Sequence, residues 1–351
     1  MSRGLGRTGL LILMAAATAL IALVEYGGLL PGKGALLVTV VLWTALAQGS
    51  VAAVAAADLT GARWVAAVRP ELLVAARLLP FLAALFLLLR SRIDLYVWAA
   101  NPGAWLNRPF FVGRGAVVLL ATAVAANLFA ARSLRKDPAV KRFAVAYLLL
   151  FVASQALVAF DWVMSLSYPW VSSMFGMYFA METLYAGVAT AGLLFLLLDR
   201  RRREPVGITW TSARHDAGLL LFGFSVLWGG LFFAQFILLW YGNLPEEVSF
   251  IALRIASSPT RELCALFIVA CFGVPFLALM PARSKGSAAA VAAVAASVLI
   301  GLAAERLVFM LPTLPVRFGP LLVQNLAMLA VWLAAALSAE RLLPPASGPP
   351  G

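Results

Sequence analysis

Ten apolar runs, each about as long as a bilayer is thick, dictate what this chain can fold into. A hydrocarbon core of ~30 Å is matched by ~20 residues at ~1.5 Å rise. The runs fall at 9–30, 34–57, 70–89, 112–131, 139–163, 170–198, 217–241, 262–280, 287–310 and 318–342. No water at that depth satisfies backbone N–H and C=O groups, so each run has to close its own hydrogen bonds as a helix. The expected fold is all-α: a polytopic membrane protein of about ten transmembrane helices. One integral membrane unit then covers 1–343, and the proline-rich stretch 344–351 reads as a disordered tail. A content of 63% hydrophobic and 12% charged residues excludes an ordinary soluble domain.

The first run resembles a secretory leader, with Arg3 and Arg7 ahead of an apolar stretch from Leu10. The apolar stretch continues to Val24 without a polar cleavage region, so it is expected to stay as the first span. The net charge of +12 would suit a nucleic-acid partner only if basic residues clustered on a folded soluble face. Instead they sit in short connections. With the N-terminus in the cytoplasm, 17 of the 27 Lys and Arg residues fall inside, among them Arg132, Arg135, Lys136, Lys141, Arg142 and Arg200 to Arg203, against nine outside. The positive-inside bias therefore predicts that both termini are cytoplasmic. The turn at Asp161 and the loop Pro245-Glu246-Glu247 then face the opposite side.

Redox ligands are scarce. His215 is the sole histidine, which excludes bis-histidine haem ligation within the chain. Cys264 and Cys271 lie in one apolar run without a Cys-x-x-Cys spacing. The chain is expected to bind no cofactor itself, and any electrons have to enter and leave through other subunits.

Ionisable residues inside spans mark pathways or pairs, because a charge at mid-bilayer costs at least ~2.5 kcal/mol. Glu182, twelve residues beyond Trp170, is expected near the midplane, with Tyr178 and Tyr185 at i−4 and i+3 on the same face. The three groups form either a proton-sharing face or an interhelical packing contact. Arg77 either snorkels to the cytoplasmic surface or pairs with Glu182. Asp161 either caps its turn or takes up and releases protons. Gln48, Asn127, Gln155, Gln235 and Asn325 read as interhelical hydrogen-bonding groups. Pro80 and Pro275 read as bends whose freed carbonyls need a partner from a neighbouring helix.

The segment Phe160 to Tyr178, FDWVMSLSYPWVSSMFGMY, joins two spans through a short aromatic turn. It resembles the D-W-x-M-S-L-x-P-H-W-x-S-T-x-F-G-x-Y segment of the ActF membrane subunit of alternative complex III, the bacterial quinol:cytochrome c oxidoreductase. Asp161, Trp162, Met164, Ser165, Leu166, Trp170, Ser172, Phe175, Gly176 and Tyr178 stand at matching positions. The block from Trp240 and Tyr241 to Pro245, Glu246 and Glu247 is similar to the family's W-Y-x-N-x-P-E-E, and Leu106 to Phe111 with Arg114 to a third. Tyr168-Pro169 stands where the family has Pro-His, so no role of that histidine carries over.

The resemblance implies an NrfD-like fold of two four-helix bundles, spans 2–5 and 6–9, with the first and last spans outside them. It implies a cofactor-free, multi-pass subunit of the bacterial inner membrane that supports quinol oxidation in the respiratory chain, with proton translocation left open. Its partners would be membrane lipid, a homologous quinol-site subunit, an iron-sulfur protein and haem c subunits, with quinol or quinone, haem c and iron-sulfur clusters carried by those partners. Trp162, Trp170, Trp240, Tyr241, Pro245, Glu246 and Glu247 are the docking residues expected on the periplasmic side. Two other readings stay open: the anchor subunit of another NrfD- or polysulfide-reductase-like oxidoreductase, and a free-standing secondary transporter.

Overall fold

The computed structural model describes residues 5–28, 30, 32–199 and 208–343. Arg3, the basic block Arg200 to Arg203 and the tail 344–351 lie outside the described residues. Ten helical segments are long and apolar enough to cross a membrane: Arg7–Tyr26, Ala35–Thr60, Arg69–Leu95, Arg108–Arg135, Val140–Ser167, Phe175–Leu197, Trp210–Gly242, Thr260–Leu279, Ala288–Met310 and Phe318–Leu337, numbered here as spans 1 to 10. There is no strand among the described residues.

Spans 2–5 pack around one another as one four-helix bundle and spans 6–9 as a second. Spans 1 and 10 pair with each other outside them, span 10 lying against spans 2 and 3. The bundles join where span 2 crosses span 6, and small residues set that approach. A Cβ on Gly49 would fall 1.9 Å from the Thr183 carbonyl oxygen, and one on Gly187 would fall 2.0 Å from the Gly49 carbonyl oxygen. Only glycine at both positions lets the backbones touch, the device that replaces hydrophobic burial between helices in lipid. Beside it, Gln155 donates to Gln48 Oε1 at 2.9 Å and Gln48 donates to Ser154 Oγ at 3.0 Å. The Thr183 hydroxyl donates to Gln155 Oε1 at 2.9 Å, so the glycine crossing is flanked by a satisfied polar network.

The two proline bends are closed by side chains. Pro80 has no N–H to offer the Ala76 carbonyl one turn earlier, and Asn127 Nδ2 of span 4 donates to that oxygen at 2.8 Å. Pro275 likewise leaves the Cys271 carbonyl free, beside a π-helical turn at Val269–Gly273, and the Tyr185 hydroxyl of span 6 donates to it at 3.0 Å. The adjacent Ala270 carbonyl accepts from Ser297 Oγ at 3.2 Å. Each freed backbone oxygen thus has a partner on another helix, as lipid burial requires.

Leu5 N–H donates to Ser338 Oγ at 2.8 Å, which places the first and last spans' outer ends on one face of the protein. The opposite face carries the Asp161 turn, the connection after span 3 and a short helix, Pro245–Ala256, between spans 7 and 8. That short helix replaces the acidic loop expected there: Leu244 and Pro245 start it, and Phe250 and Arg254 are its buried face. In the connection after span 3, Trp98 is buried with its indole N–H on Ser165 Oγ at 3.2 Å, whereas Trp105 is exposed.

Candidate functional site

Span 6 starts at Phe175, because residues 168–174 form the turn from span 5. Glu182 is therefore the eighth residue of its helix and lies ~10 Å below the helix start at ~1.5 Å per residue, shallower than the midplane depth expected from the apolar run. It is fully buried. Its Oε2 lies 2.5 Å from Arg306 Nη1 of span 9, and its Oε1 accepts from the Trp228 indole of span 7 at 3.4 Å. The Arg306 guanidinium lies flat over the Phe179 ring, 3.5 Å from its centroid. Of the two alternatives for Arg77, pairing with Glu182 is excluded, because Arg306 holds that carboxyl. Arg77 lies exposed on span 3, and its electrostatic neighbour is Arg7 of span 1, so it reaches the surface at the terminal face.

Beside this pair stands a second carboxyl. Glu305, also fully buried, is within hydrogen-bonding reach of Glu182 and accepts the Tyr178 hydroxyl. The chain thus gathers Tyr178 and Glu182 of span 6, Trp228 of span 7, and Glu305 and Arg306 of span 9 in the core of the second bundle. One guanidinium neutralises one carboxylate. Burying a second carboxyl beside that pair in a low-dielectric core is costly if it is ionised, so the arrangement is not one that packing by itself favours.

Glu305 and Arg306 stand near the end of the run 287–310, and Arg306 is one of the nine basic residues counted outside in the charge bias above. The helix reaches Met310, as the run predicts, but both side chains turn inward and are buried. An acid and a base side by side inside an apolar run, the base carrying the charge that Glu182 needs, was the available signal. Tyr185, expected on the same proton-sharing face, has its hydroxyl committed to the Cys271 carbonyl and joins the fold rather than the cluster.

Two spaces reach the cluster. Tyr178 lines a cavity of about 380 Å³ between spans 6, 7, 8 and 9 and the helix Pro245–Ala256. Glu182 and Arg306 line a separate space of about 70 Å³ between spans 2, 6 and 9, enough for a few waters. The acid pair therefore lies between a cleft on one flank and a small chamber on the other.

Asp161 forms a second site in the first bundle. It sits in a π-helical turn, Val158–Val163, and forms an ion pair with Arg114 of span 4. Its Oδ1 accepts from the Trp105 indole at 3.1 Å, and Arg114 in turn donates to the Trp105 carbonyl at 2.6 Å and stacks over that ring. The carboxylate ties the span 5 turn to span 4 and to the loop before it, a role the turn-cap reading understated. A third buried acid, Glu25, went unremarked in the sequence. It accepts the backbone N–H groups of Gly34 and Leu36 at the start of span 2 and pairs with Arg92 at 3.2 Å, so it serves as a helix-start cap.

The expected docking residues divide. Trp162 is fully buried and stacks on Phe86 at 4.4 Å, and Trp170 is buried against Phe250 at 3.6 Å, so both pack the interior instead of facing a partner. Trp240 (65% exposed), Tyr241 (77% exposed), Pro245 and Glu246 lie on the surface, with Glu247 half-buried beside them. Among the described residues no group of three His, Cys, Asp or Glu side chains could hold a metal ion. No protein-family model matches the chain, and no curated protein matches it.

Proposed function

We propose that this chain is an ActF-like membrane subunit of a quinol:cytochrome c oxidoreductase of the alternative complex III type, and that its buried Glu182–Glu305 pair handles protons during quinol oxidation. The observation that supports this most is the pair itself. Two carboxyls, Glu182 on an arginine and Glu305 on a tyrosine hydroxyl, adjoin in the core of a membrane bundle, an arrangement that packing alone does not require. The resemblance of the Asp161 segment and of the Trp240 to Glu247 block supplies the complex to which the subunit would belong.

In this reading the face bearing the Asp161 turn is periplasmic and both termini are cytoplasmic, in a bacterial inner membrane. The exposed Trp240, Tyr241, Pro245 and Glu246 then form the surface offered to haem c and iron-sulfur partners, which carry the redox groups. Tyr178 passes a proton between the larger cleft and Glu305, Glu305 exchanges it with Glu182, and Arg306 holds whichever carboxylate is ionised. A proton moves along existing hydrogen bonds, one leaving the cluster as another arrives, so that its net charge is the same before and after.

A free-standing transporter fits less well. In such proteins the broken helices present free carbonyls and helix ends to the substrate, whereas here Asn127 and Tyr185 occupy the carbonyls that Pro80 and Pro275 release. The test is purification of the tagged full-length chain from its native membranes in mild detergent, followed by subunit mass spectrometry, haem staining and a quinol:cytochrome c reductase assay. Co-purification with haem c and iron-sulfur subunits and with reductase activity is expected. A chain that purifies alone would overturn the assignment.

A further inference from the structure

Arg254 stands apart from the other buried arginines. The buried Arg306 and Arg214 face Glu182 and Asp199, and the partly buried Arg92 and Arg114 face Glu25 and Asp161. Arg254, 3% exposed, has no carboxylate within ion-pair distance among the described residues. Its donors go to neutral oxygens: the carbonyls of Phe250 at 2.7 Å and Phe309 at 2.8 Å, and Ser167 Oγ at 3.2 Å. Its Nε has no partner at all. Burial lowers its pKa to about 9, which leaves it positive at neutral pH. The Phe250 ring under it, 3.3 Å from the guanidinium carbon, offsets part of that charge but supplies no counter-ion.

Arg254 lines the same cavity of about 380 Å³ that Tyr178 reaches. The other walls are almost wholly apolar, with Phe232, Phe267 and Phe309 among them. Phe236, Ile255 and Ile268 are both wall and exposed surface, so the cavity opens sideways on the flank of spans 7 and 8, where lipid would stand. Its mouth lies at the level of the span ends, since Arg254 bonds the last residue of span 5 and the penultimate residue of span 9. A second cation is at hand: Arg261, exposed and likewise without a carboxylate partner, donates to the carbonyls of Ile255 and Ala256 at 2.9 and 2.6 Å. Glu262 beside it is exposed and pairs with neither arginine.

We infer that this cavity is a binding site for an anionic phospholipid, with one acyl chain in the aromatic slot between spans 7 and 8 and the phosphate at the Arg254–Arg261 mouth. An apolar slot with a lateral opening takes a chain from the bilayer. A mouth at headgroup depth, with Arg254 in its wall and Arg261 bonded to the wall residue Ile255, neither of them paired with a carboxylate among the described residues, selects the head by charge. The inference is independent of the proposed function, since the site is complete within this chain and asks nothing of the acid cluster beyond Tyr178 as a wall.

The probe is phosphatidylglycerol carrying a photoreactive group on one acyl chain, compared with phosphatidylcholine carrying the same chain, each added to the purified full-length chain in detergent. Mass mapping should find adducts on Phe232, Phe236, Phe267 and Ile268, above those on the lipid-facing Val117 and Val124 of span 4. One basic group near the surface sets a preference of about fivefold for the anionic lipid. Arg254→Lys should keep the preference, Arg254→Gln should cut it about fivefold, and Arg254→Gln/Arg261→Gln should abolish it. Cys264→Trp fills the slot without touching either arginine, so it should remove the adducts even if Arg254→Gln fails to fold. Equal labelling by the two lipids, survival of the adducts in Cys264→Trp, or displacement of the anionic probe by an equal amount of a neutral prenylated quinone would each overturn the assignment.

Discussion

Glu182 of span 6 and Arg306 of span 9 meet at 2.5 Å inside the second bundle, and Glu305, the residue before that arginine, holds a carboxyl against the same pair. The arrangement has a consequence for substitution. In Glu182→Gln the neighbouring Glu305 can ionise and take over Arg306, so the loss of stability should be small. In the double variant Glu182→Gln/Glu305→Gln the guanidinium is stranded, which costs ~3–5 kcal/mol for a buried charge. Thermal unfolding of the purified chain should therefore show the double variant losing far more than the sum of the two singles. Additive losses would mean that the two carboxyls do not share the arginine.

Tyr185→Phe removes the donor that closes the Cys271 carbonyl, so it should cost ~1–3 kcal/mol, the penalty for an unsatisfied buried acceptor. Pro275→Ala restores a backbone N–H for that carbonyl, and in its presence Tyr185→Phe should be close to neutral. A full loss in both backgrounds would remove the link between the tyrosine and the proline bend.

At the bundle crossing, Gly49→Ala places a methyl group against the Thr183 backbone, which cannot swing aside as a side chain would. Overpacking of this kind costs ~1–3 kcal/mol or more. Gly223, with open space around its Cβ position, is the control, and Gly223→Ala should leave folded yield unchanged. Equal yields for the two variants would show that the bundles do not approach as closely as described.

Orientation is tested by labelling. Ser249 is exposed on the face of the Asp161 turn, and Arg283 is exposed in the connection between spans 8 and 9 at the terminal face. In a background with Cys264 and Cys271 replaced, Ser249→Cys should react with an impermeant thiol reagent from outside the cell and Arg283→Cys should not. The reverse pattern would turn the protein over and remove the periplasmic docking surface.

Much of the fold was legible because lipid leaves so few choices. Each apolar run had to be a helix, and the carbonyls released by Pro80 and Pro275 had to find donors, although the sequence could not say that Asn127 and Tyr185 would supply them. Glu182 was legible as an ionisable residue in a span. Its partner was not, because an apolar run records depth along a helix and not which face turns inward. Arg306 and Glu305 lie within two turns of the helix end, where a charge reads as solvated unless a neighbouring span covers it. Trp162 misled for the same reason. An aromatic beside a turn reads as a membrane-surface anchor, and here spans 3 and 5 stack Phe86 and Trp162 face to face.

The most direct test of the proton-handling reading is the proton-to-electron ratio of the intact complex in vesicles with Glu305→Gln. This substitution keeps the Glu182–Arg306 ion pair and an acceptor for the Tyr178 hydroxyl, and it removes only the group that gains and loses the shared proton. The expected result is a complex that assembles and oxidises quinol normally while moving fewer protons per electron. An unchanged ratio in a fully assembled, active complex would contradict a proton role for the pair and leave it as a packing contact between spans 6 and 9.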